Sequence, residues 1–203
     1  WWRMQFLDRM PGLKQDVVAW GEEIDQYLPK EHRGDPELWM SGRIIKAINM
    51  IPAEMIWRGT VIGGIWDAHK KGKPYGGRKL PAELGFLDPI DPPIHTPTTK
   101  APDGEHDVPI TAQQFQDIAG KTLAAKATTL TRSMFLIGRS IAVEKGLLIL
   151  DTKFEGGGDI VDGKPTGDFV SADEDLTPDS SRYTTPKALA EAKGTGKNPK
   201  SFD

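Results

Sequence analysis

The chain contains no cysteine among its 203 residues, which excludes disulfides, thiolate metal sites and cysteine nucleophiles. It also lacks any stretch approaching the roughly 18 consecutive apolar residues of a membrane helix. No secretory signal is visible, and there is no basic stripe of the kind that binds nucleic acid. These absences suit a cytoplasmic protein that has neither a membrane nor a nucleic-acid partner.

What the chain does contain is typical of a soluble globular protein. Its hydrophobic content is 37%, its charged content is 27% and its net charge is −3. A chain of this length can bury a real core and form one large domain or two small ones. It starts at Trp1 without a methionine and ends at Asp203 directly after a Gly/Lys/Pro-rich stretch, so we expect residues to be missing at both ends.

The first third of the chain predicts helices followed by strands. Apolar residues at spacings of three or four predict one or two helices in residues 1–29, interrupted by Pro11-Gly12, and residues 30–40 read as a polar connector. Residues 43–66 are strand-like, with a break at Pro52. The Gly63-Gly64 pair that follows indicates a tight turn or a close backbone approach.

A long core helix is predicted in the second half. Thr111 is a plausible N-cap. From Leu123 the apolar positions alternate between spacings of four and three, which predicts a core-facing helix that ends at Gly146. Gly138, inside this helix, weakens it by about 1 kcal/mol relative to alanine and is expected to let another backbone approach. We expect the helix to lead directly into a strand over residues 147–155.

Between these regions, residues 72–110 hold eight of the sixteen prolines. A structureless loop of this length is uncommon in a compact domain unless it is functional or mobile. Its centre is dense in polar donors and acceptors, and proline stiffness lowers the entropy cost of ordering it over a ligand. A tolerated surface loop is an equally good interpretation of these residues alone.

Two acidic clusters, at residues 151–155 and 173–175, flank a turn-rich stretch at residues 156–167. This layout predicts two strands joined by a loop, with Asp151, Lys153 and Glu155 on one face and Asp173 and Asp175 opposite. Facing carboxylates repel unless a cation lies between them. The hairpin therefore indicates either a magnesium–phosphate site or a solvated edge, and spacing alone favours the solvated edge.

Four stretches together resemble one family, the SAICAR synthetases of purine biosynthesis (phosphoribosylaminoimidazole-succinocarboxamide synthases). The first is MIPAEMIWRG at residues 50–59, followed by IGG at residues 62–64. The second is TPTTK at residues 96–100 with GEHD at residues 104–107. The third is LDTKFE at residues 150–155, with DE at residues 173–174 and TPDSSR at residues 177–182, and the fourth is the tail KNPKSFD at residues 197–203.

The resemblance implies an α+β fold of two lobes, related to the ATP-grasp and kinase nucleotide architectures. It covers residues 43–203, so the N-terminal lobe that covers the nucleotide is expected to be incomplete. Residues 1–70 would be the remainder of that lobe with its connecting helices and strands. Residues 71–110 would be an active-site loop, and residues 111–203 the lobe that binds ATP, magnesium and substrate.

The reaction that the resemblance implies joins L-aspartate to the carboxylate of carboxyaminoimidazole ribonucleotide. ATP is consumed, and SAICAR, ADP and phosphate are released. A carboxylate does not react with an amine at a useful rate, whereas an acyl phosphate does. Positioning and charge neutralisation should therefore dominate catalysis. A homo-oligomer would be unsurprising for this family.

The resemblance also assigns roles to particular residues. Glu155 and Asp173 correspond to the positions that hold magnesium against the ATP phosphates, and Lys153 would steady phosphate or developing negative charge. The expected ribonucleotide-binding positions are Arg58, Gly63, Gly64, Asp179, Ser180 and Arg182. Lys100 and His106 are further candidates for substrate contact, although the histidine could instead pin its loop. A surface salt bridge for the arginines and a turn cap for Asp179 are the structural alternatives.

Two departures from the family pattern bear on function. The family usually has Thr-Gly-Ser where this chain has Ile62-Gly63-Gly64, so a serine hydroxyl is lost near the ribonucleotide phosphate. It usually has Glu-Phe-Gly where this chain has Glu155-Gly156-Gly157, so an aromatic ring is lost beside the metal carboxylate. These changes keep open an alternative in which the protein binds a nucleotide or mediates assembly without catalysing ligation.

Overall fold

The computed structural model describes residues 2–102, 104 and 106–199, and these residues form a mixed α+β fold. Its α-helices are α1 (Trp2–Arg9), α2 (Pro36–Ser41), α3 (Gly64–Lys70), α4 (Ala112–Ala119), α5 (Lys121–Glu144) and α6 (Pro186–Thr195). Its first five strands are β1 (Lys14–Gln15), β2 (Val17–Trp20), β3 (Arg43–Ile45), β4 (Asn49–Met50) and β5 (Ala53–Thr60). The others are β6 (Pro89–His95), β7 (Thr98–Thr99), β8 (Leu148–Val161), β9 (Lys164–Ala172) and β10 (Ser181–Thr184).

One sheet of eight strands organises the fold, and β8 lies at its centre. The main order is β1-β9-β8-β5-β6, while β4 and β10 also pair with β8 and β7 pairs with β5. The first half of β8 lies between β5 and β10, and its second half pairs with β9 and β4. Strands from all three predicted segments of the chain therefore meet in one sheet; their division into lobes stays a prediction.

Helix α5 covers one face of the sheet and forms the main core with it. Thr111 caps α4 through a capping box with Gln114, as the sequence predicts for an N-cap. Helix α5 then ends at Glu144 and is followed by Gly146 at φ +74°, which confirms the predicted helix and its glycine stop. The expected approach of another backbone at Gly138 is wrong, because the Leu176 side chain packs against this glycine.

The predicted N-terminal helices are only partly correct. Helix α1 forms, but after Pro11-Gly12 the chain makes β1, β2 and a 3-10 helix at Gly21–Gln26. Two free strand edges explain the difference, because β1 pairs with β9 and β2 pairs with β3. Backbone pairing with these edges overrides the local apolar spacing. The expected connector at residues 30–40 likewise contains a 3-10 helix at Lys30–His32 and the capped helix α2.

The proline-rich segment is not structureless either. Residues 89–95 form β6, which pairs with β5 at the end of the sheet. Pro89, Pro92 and Pro93 are tolerated there because an edge strand does not need every backbone N–H. The prediction of a break at Pro52 is confirmed, since β4 ends at Met50 and β5 begins at Ala53.

The predicted loop at residues 156–167 is mostly strand. Strand β8 runs through Gly156, Gly157 and Gly158 to Val161, and the chain turns only at residues 162–163. A Cβ on Gly156 would lie 2.6 Å from ring carbons of Phe169 on β9. The Val170 carbonyl oxygen lies closer still, so the β9 backbone and the ring together occupy the space beside Gly156.

Among the described residues, no helix is long and apolar enough to cross a membrane.

A buried histidine connects the core to the sheet. His95 stacks on Trp57 with 5.1 Å between ring centroids and meets the edge of Phe115 at 5.4 Å. Its Nε2 atom is buried and has no hydrogen-bond partner among the residues that the structure describes. Burial, assisted by the charge of Arg78, lowers the pKa of His95 from 6.5 to about 4.

This shift predicts a loss of stability in acid. In the unfolded chain His95 binds a proton below pH 6.5, whereas in the folded protein it stays neutral down to about pH 4. Acid therefore favours unfolding across that window, by about 3 kcal/mol in total for this group. Urea unfolding measures the free energy of unfolding, which should fall less between pH 7 and pH 4 for His95→Phe than for the unaltered protein. Equal losses would contradict the assignment.

Candidate functional site

An open pocket of about 680 Å³ lies over the first half of β8. It is lined by β5, β8 and β10 and by the segments at residues 178–181 and 198–199. Residues 200–203, the end of the tail motif, lie outside the described residues, as do Asp103 and Glu105 of the loop motif. Two adjoining charged clusters lie along β8: the first lines this pocket, and the second reaches the pocket lining through Lys153.

The first cluster joins two arginines to one buried carboxylate. Arg58 lies opposite Asp151 in the β5–β8 register, and Arg182 lies opposite it in the β10–β8 register. Arg58 Nη1 donates to Asp151 Oδ2 at 2.6 Å, and Arg182 Nη1 donates to the same oxygen. Burial raises the pKa of Asp151 although both guanidiniums oppose this. Two guanidiniums share one carboxyl group, so positive charge is in excess whichever form it takes.

Arg58 is held by contacts on all sides. It is 4% exposed. Its Nε donates to Thr96 Oγ1 at 2.9 Å and its Nη1 to the Ile62 carbonyl oxygen at 3.4 Å. Its Nη2 donates to the Tyr75 hydroxyl at 3.5 Å, and the Tyr75 ring centroid lies 5.3 Å from its guanidinium carbon. A guanidinium fixed in this way is pre-organised for a planar anion.

Two glycines allow the chain to pass close to this cluster. Gly63 has φ +67°, a conformation that favours glycine. A Cβ on Gly63 would lie 3.2 Å from both terminal nitrogens of Arg182, and a Cβ on Gly64 would lie 2.7 Å from the Tyr75 ring. Both predictions for this pair, the turn and the close approach, are confirmed.

Asp179 and Ser180 lie in the turn that precedes β10. Asp179 is exposed and lines the pocket, and no hydrogen bond or ion pair within the described residues uses its carboxylate. Ser180 is buried, and its hydroxyl donates to the Thr177 carbonyl oxygen at 3.3 Å. Its own carbonyl oxygen accepts from the Lys153 backbone N–H at 2.8 Å. Ser180 thus holds the turn against β8 and presents Asp179 to the pocket.

The second cluster is a chain of alternating charges. Lys153 Nζ lies 3.0 Å from Glu155 Oε1 and 3.2 Å from Glu54 Oε1, and Lys100 Nζ donates to the other oxygen of Glu155. Thr98 Oγ1 donates to Glu54 Oε2 at 3.0 Å. The contact between Lys153 and Glu155 agrees with the predicted common face for these two residues, and Asp151 lines the same pocket as Lys153. The cluster is half-buried beneath Lys100.

This arrangement fixes the charges of Lys153 and Glu155. Burial alone would lower the pKa of Lys153, but the hydrogen bond to Glu155 and the charge of Glu54 raise it above its usual range. Burial alone would raise the pKa of Glu155, but its hydrogen bonds to Lys100 and Lys153 lower it. The lysine is therefore a cation and the glutamate an anion at neutral pH.

Asp173 and His106 lie outside this pocket lining. Asp173, at φ +60°, follows Ala172, the residue paired with Glu155, so it lies just beyond β9 and not on it as expected. Asp175 turns back to accept a hydrogen bond from Ser171 at 2.8 Å. His106 is exposed. The described residues contain no group of three or more His, Asp or Glu side chains placed to hold a metal.

The structure brings most of the candidates together and adds others. Arg58, Asp179, Ser180, Arg182 and Lys153 line one pocket, and Lys153 leads to Glu155 and Lys100. Sequence reasoning did not single out three residues that hold these side chains, Glu54, Tyr75 and Thr96, and it placed Asp151 on the face of the acidic hairpin without predicting its arginine partners. Alternation along β5 could have revealed Glu54, which lies two positions before Ile56 and four before Arg58. No sequence signal pointed to Tyr75.

Comparisons with solved structures place this fold among SAICAR synthetases. A SAICAR synthase from Saccharomyces cerevisiae, solved with SAICAR, superposes with a TM-score of 0.75 at 27% identity and covers 92% of this chain and 61% of its own. A type-2 SAICAR synthetase solved with ADP gives 0.65 at 21% identity, over 93% of this chain and 64% of its own. The second likeness concerns the fold alone.

Curated proteins agree with the structural neighbours. A phosphoribosylaminoimidazole-succinocarboxamide synthase from Maridesulfovibrio salexigens is 35% identical over 100% of this chain and 62% of its own length. The enzyme of that name from Polaromonas naphthalenivorans is 32% identical over 94% of this chain and 65% of its own length. The chain thus spans a little under two thirds of these relatives. The SAICAR synthetase family model matches residues 20–203. On this evidence the chain belongs to the SAICAR synthetase family.

Proposed function

We propose that the protein is an ATP- and magnesium-dependent carbon–nitrogen ligase of purine biosynthesis. It would join L-aspartate to the carboxylate of carboxyaminoimidazole ribonucleotide and release SAICAR, ADP and phosphate. The observation that carries this proposal is the succession of two charged clusters along β8 in a chain of this family. An arginine pair and Lys153 line one open pocket, and Lys153 links the pair to Glu155.

The proposed reaction has two displacements. An oxygen of the ribonucleotide carboxylate attacks the γ-phosphorus of ATP, the bond to the bridging oxygen breaks, and ADP leaves. The amine of aspartate then attacks the carbonyl carbon of the acyl phosphate, and phosphate leaves as the amide forms and the amine loses its proton. Both steps move negative charge between oxygens, so fixed cations in a partly buried pocket stabilise them.

Each cluster would serve one part of the substrate pair. Arg58 and Arg182 would bind the anionic groups of the ribonucleotide, with the backbone of Gly63 and Gly64 close by and Asp179 accepting from its hydroxyl or amino groups. Lys153, held as a cation by Glu155, would neutralise charge that develops on the transferred phosphoryl group.

Magnesium would be held by Glu155 and Asp173. Carboxylate oxygens suit this ion, which commonly keeps water and phosphate oxygens as its other ligands. Both oxygens of Glu155 accept from lysines, but Lys100 is half-exposed and can leave to solvent. The two carboxylates are therefore of the donor type that the ion takes, and Lys100 would have to leave Glu155 for it to bind. The ion would supply charge neutralisation at the ATP phosphates.

Other expectations remain predictions: a cytoplasmic location, homo-oligomerisation, the lobe boundaries and any role of Lys100 or His106 at the substrate.

The proposal predicts strictly coupled turnover by the full-length protein. ADP release should require aspartate, the ribonucleotide and magnesium together. Glu155→Gln keeps the shape but removes the charge, so it should slow release about 100-fold or more. Glu144→Gln, at an exposed position at the end of α5, is the matched control and should leave the rate within about twofold. Initial rates of ADP formation measure both.

Two results would count against this account. Near-normal turnover by Glu155→Gln would refute the metal assignment. Binding of the ribonucleotide by the unaltered protein, without aspartate-dependent release of ADP, would favour the alternative of a non-catalytic nucleotide-binding or assembly protein.

The arginine pair predicts a selective loss of affinity. Arg182→Ala should weaken binding of SAICAR about 10- to 100-fold because it removes a charge-assisted hydrogen bond, while the affinity for ATP changes little. Arg132→Ala removes an equal charge from the exposed side of α5 and serves as the control. Calorimetric titration separates the two ligands. Equal SAICAR affinities for both variants would remove Arg182 from the site.

A further inference from the structure

Tyr75 contacts the guanidinium of Arg58 although it comes from the proline-rich segment. A short turn presents it, closed by backbone hydrogen bonds in both directions between Tyr75 and Arg78 at 2.8 and 3.0 Å. The Arg58 guanidinium carbon lies 5.3 Å from the Tyr75 ring centroid, within the range of a cation–π contact. The Tyr75 side chain is therefore placed from outside the sheet onto a residue inside the pocket.

The contact with Tyr75 involves one particular nitrogen of Arg58. Nε donates to Thr96 at 2.9 Å, and Nη1 donates to Asp151 at 2.6 Å. Nη2 meets only the Tyr75 hydroxyl among its described partners, at a long 3.5 Å. A hydrogen bond of this length is weak, so Nη2 is available to a stronger acceptor such as a phosphate or carboxylate oxygen.

Tyr75 also decides which residue can occupy position 64. A Cβ on Gly64 would lie 2.7 Å from Tyr75 Cε2 and 2.9 Å from the phenol oxygen. Any side chain at this position would collide with the ring. A serine at position 64 would therefore compete with the Tyr75 ring and hydroxyl for the space beside Gly64.

We propose that Tyr75 is a positioning residue for Arg58: its phenol takes the place of the serine hydroxyl that the family resemblance implies at position 64 and orients Arg58 Nη2 toward an anionic group of the ribonucleotide. The inference rests on the proposed function. It treats the glycine at position 64 and the tyrosine at position 75 as one coupled feature. The hydroxyl beside Arg58 then comes from another segment of the chain.

A double-mutant cycle tests the coupling. Gly64→Ser alone should weaken SAICAR binding at least about 10-fold, because the new side chain displaces Tyr75 from Arg58. Tyr75→Ala alone should weaken it by a similar factor. The double variant Gly64→Ser/Tyr75→Ala should bind SAICAR more tightly than Gly64→Ser alone, because the serine regains its space. In all three variants the KM for ATP should stay unchanged. The KM for the ribonucleotide should rise where SAICAR binding weakens.

Two further variants keep the test decisive. Tyr75→Phe preserves the ring and the fold but lacks the hydroxyl, so its loss of affinity isolates the hydrogen-bonding part. Tyr27→Ala, at a tyrosine that is 53% exposed, is the control and should bind like the unaltered protein. Additive effects of the two substitutions, or SAICAR affinity within about twofold of normal for Tyr75→Ala, would overturn the inference. If the unaltered protein binds no SAICAR, the proposed function fails, and the inference falls with it.

Discussion

The pocket depends on one shared ion pair, in which the Asp151 carboxyl group accepts from Arg58 and Arg182. The three residues come from three adjacent strands and meet because those strands pair in register at this point. Removing a charged group from water costs free energy, and burial of a carboxylate is tolerated only when its charged partners lie close to it. Asp151 has two guanidinium partners, so the ion pair that holds the three strands together also leaves excess positive charge facing the pocket. That surplus is what makes this end of the pocket suitable for an anionic substrate.

The arrangement of side chains along β8 also positions the second cluster. Alternate residues share a face, so Lys153 and Glu155 follow Asp151 at successive positions and pair with Glu54 and Lys100. The glycines that follow would weaken an ordinary strand. In this protein they let β9 approach closely, with the Phe169 ring over Gly156. Two departures from the family pattern, at positions 64 and 156, thus share one physical consequence. In each, an aromatic side chain from elsewhere in the chain packs beside the glycine, and at Gly156 the Val170 carbonyl oxygen lies there as well.

The parts of the fold that could be predicted from sequence are those set by local physics. The cap at Thr111, the core spacing of α5 and the strand break at Pro52 need only neighbouring residues. The errors arose where a distant strand edge decided the outcome, as for β1, β2 and β6, which the sequence suggested were helix or loop. The candidate site, too, could be predicted only in part. Family motifs pointed to Arg58 and Arg182 as candidate site residues. Their contacts with Asp151 and Tyr75 depend on tertiary packing, which a single sequence does not show.

The central claim is that the guanidiniums organised by Asp151 bind an anionic group of the ribonucleotide. A crystal structure of the full-length protein with SAICAR tests it most directly. The account predicts a phosphate or carboxylate oxygen of SAICAR about 3 Å from Arg58 Nη2, with Arg182 contacting the same ligand. SAICAR bound elsewhere on the protein, with both arginines still engaged only by protein groups, would contradict it.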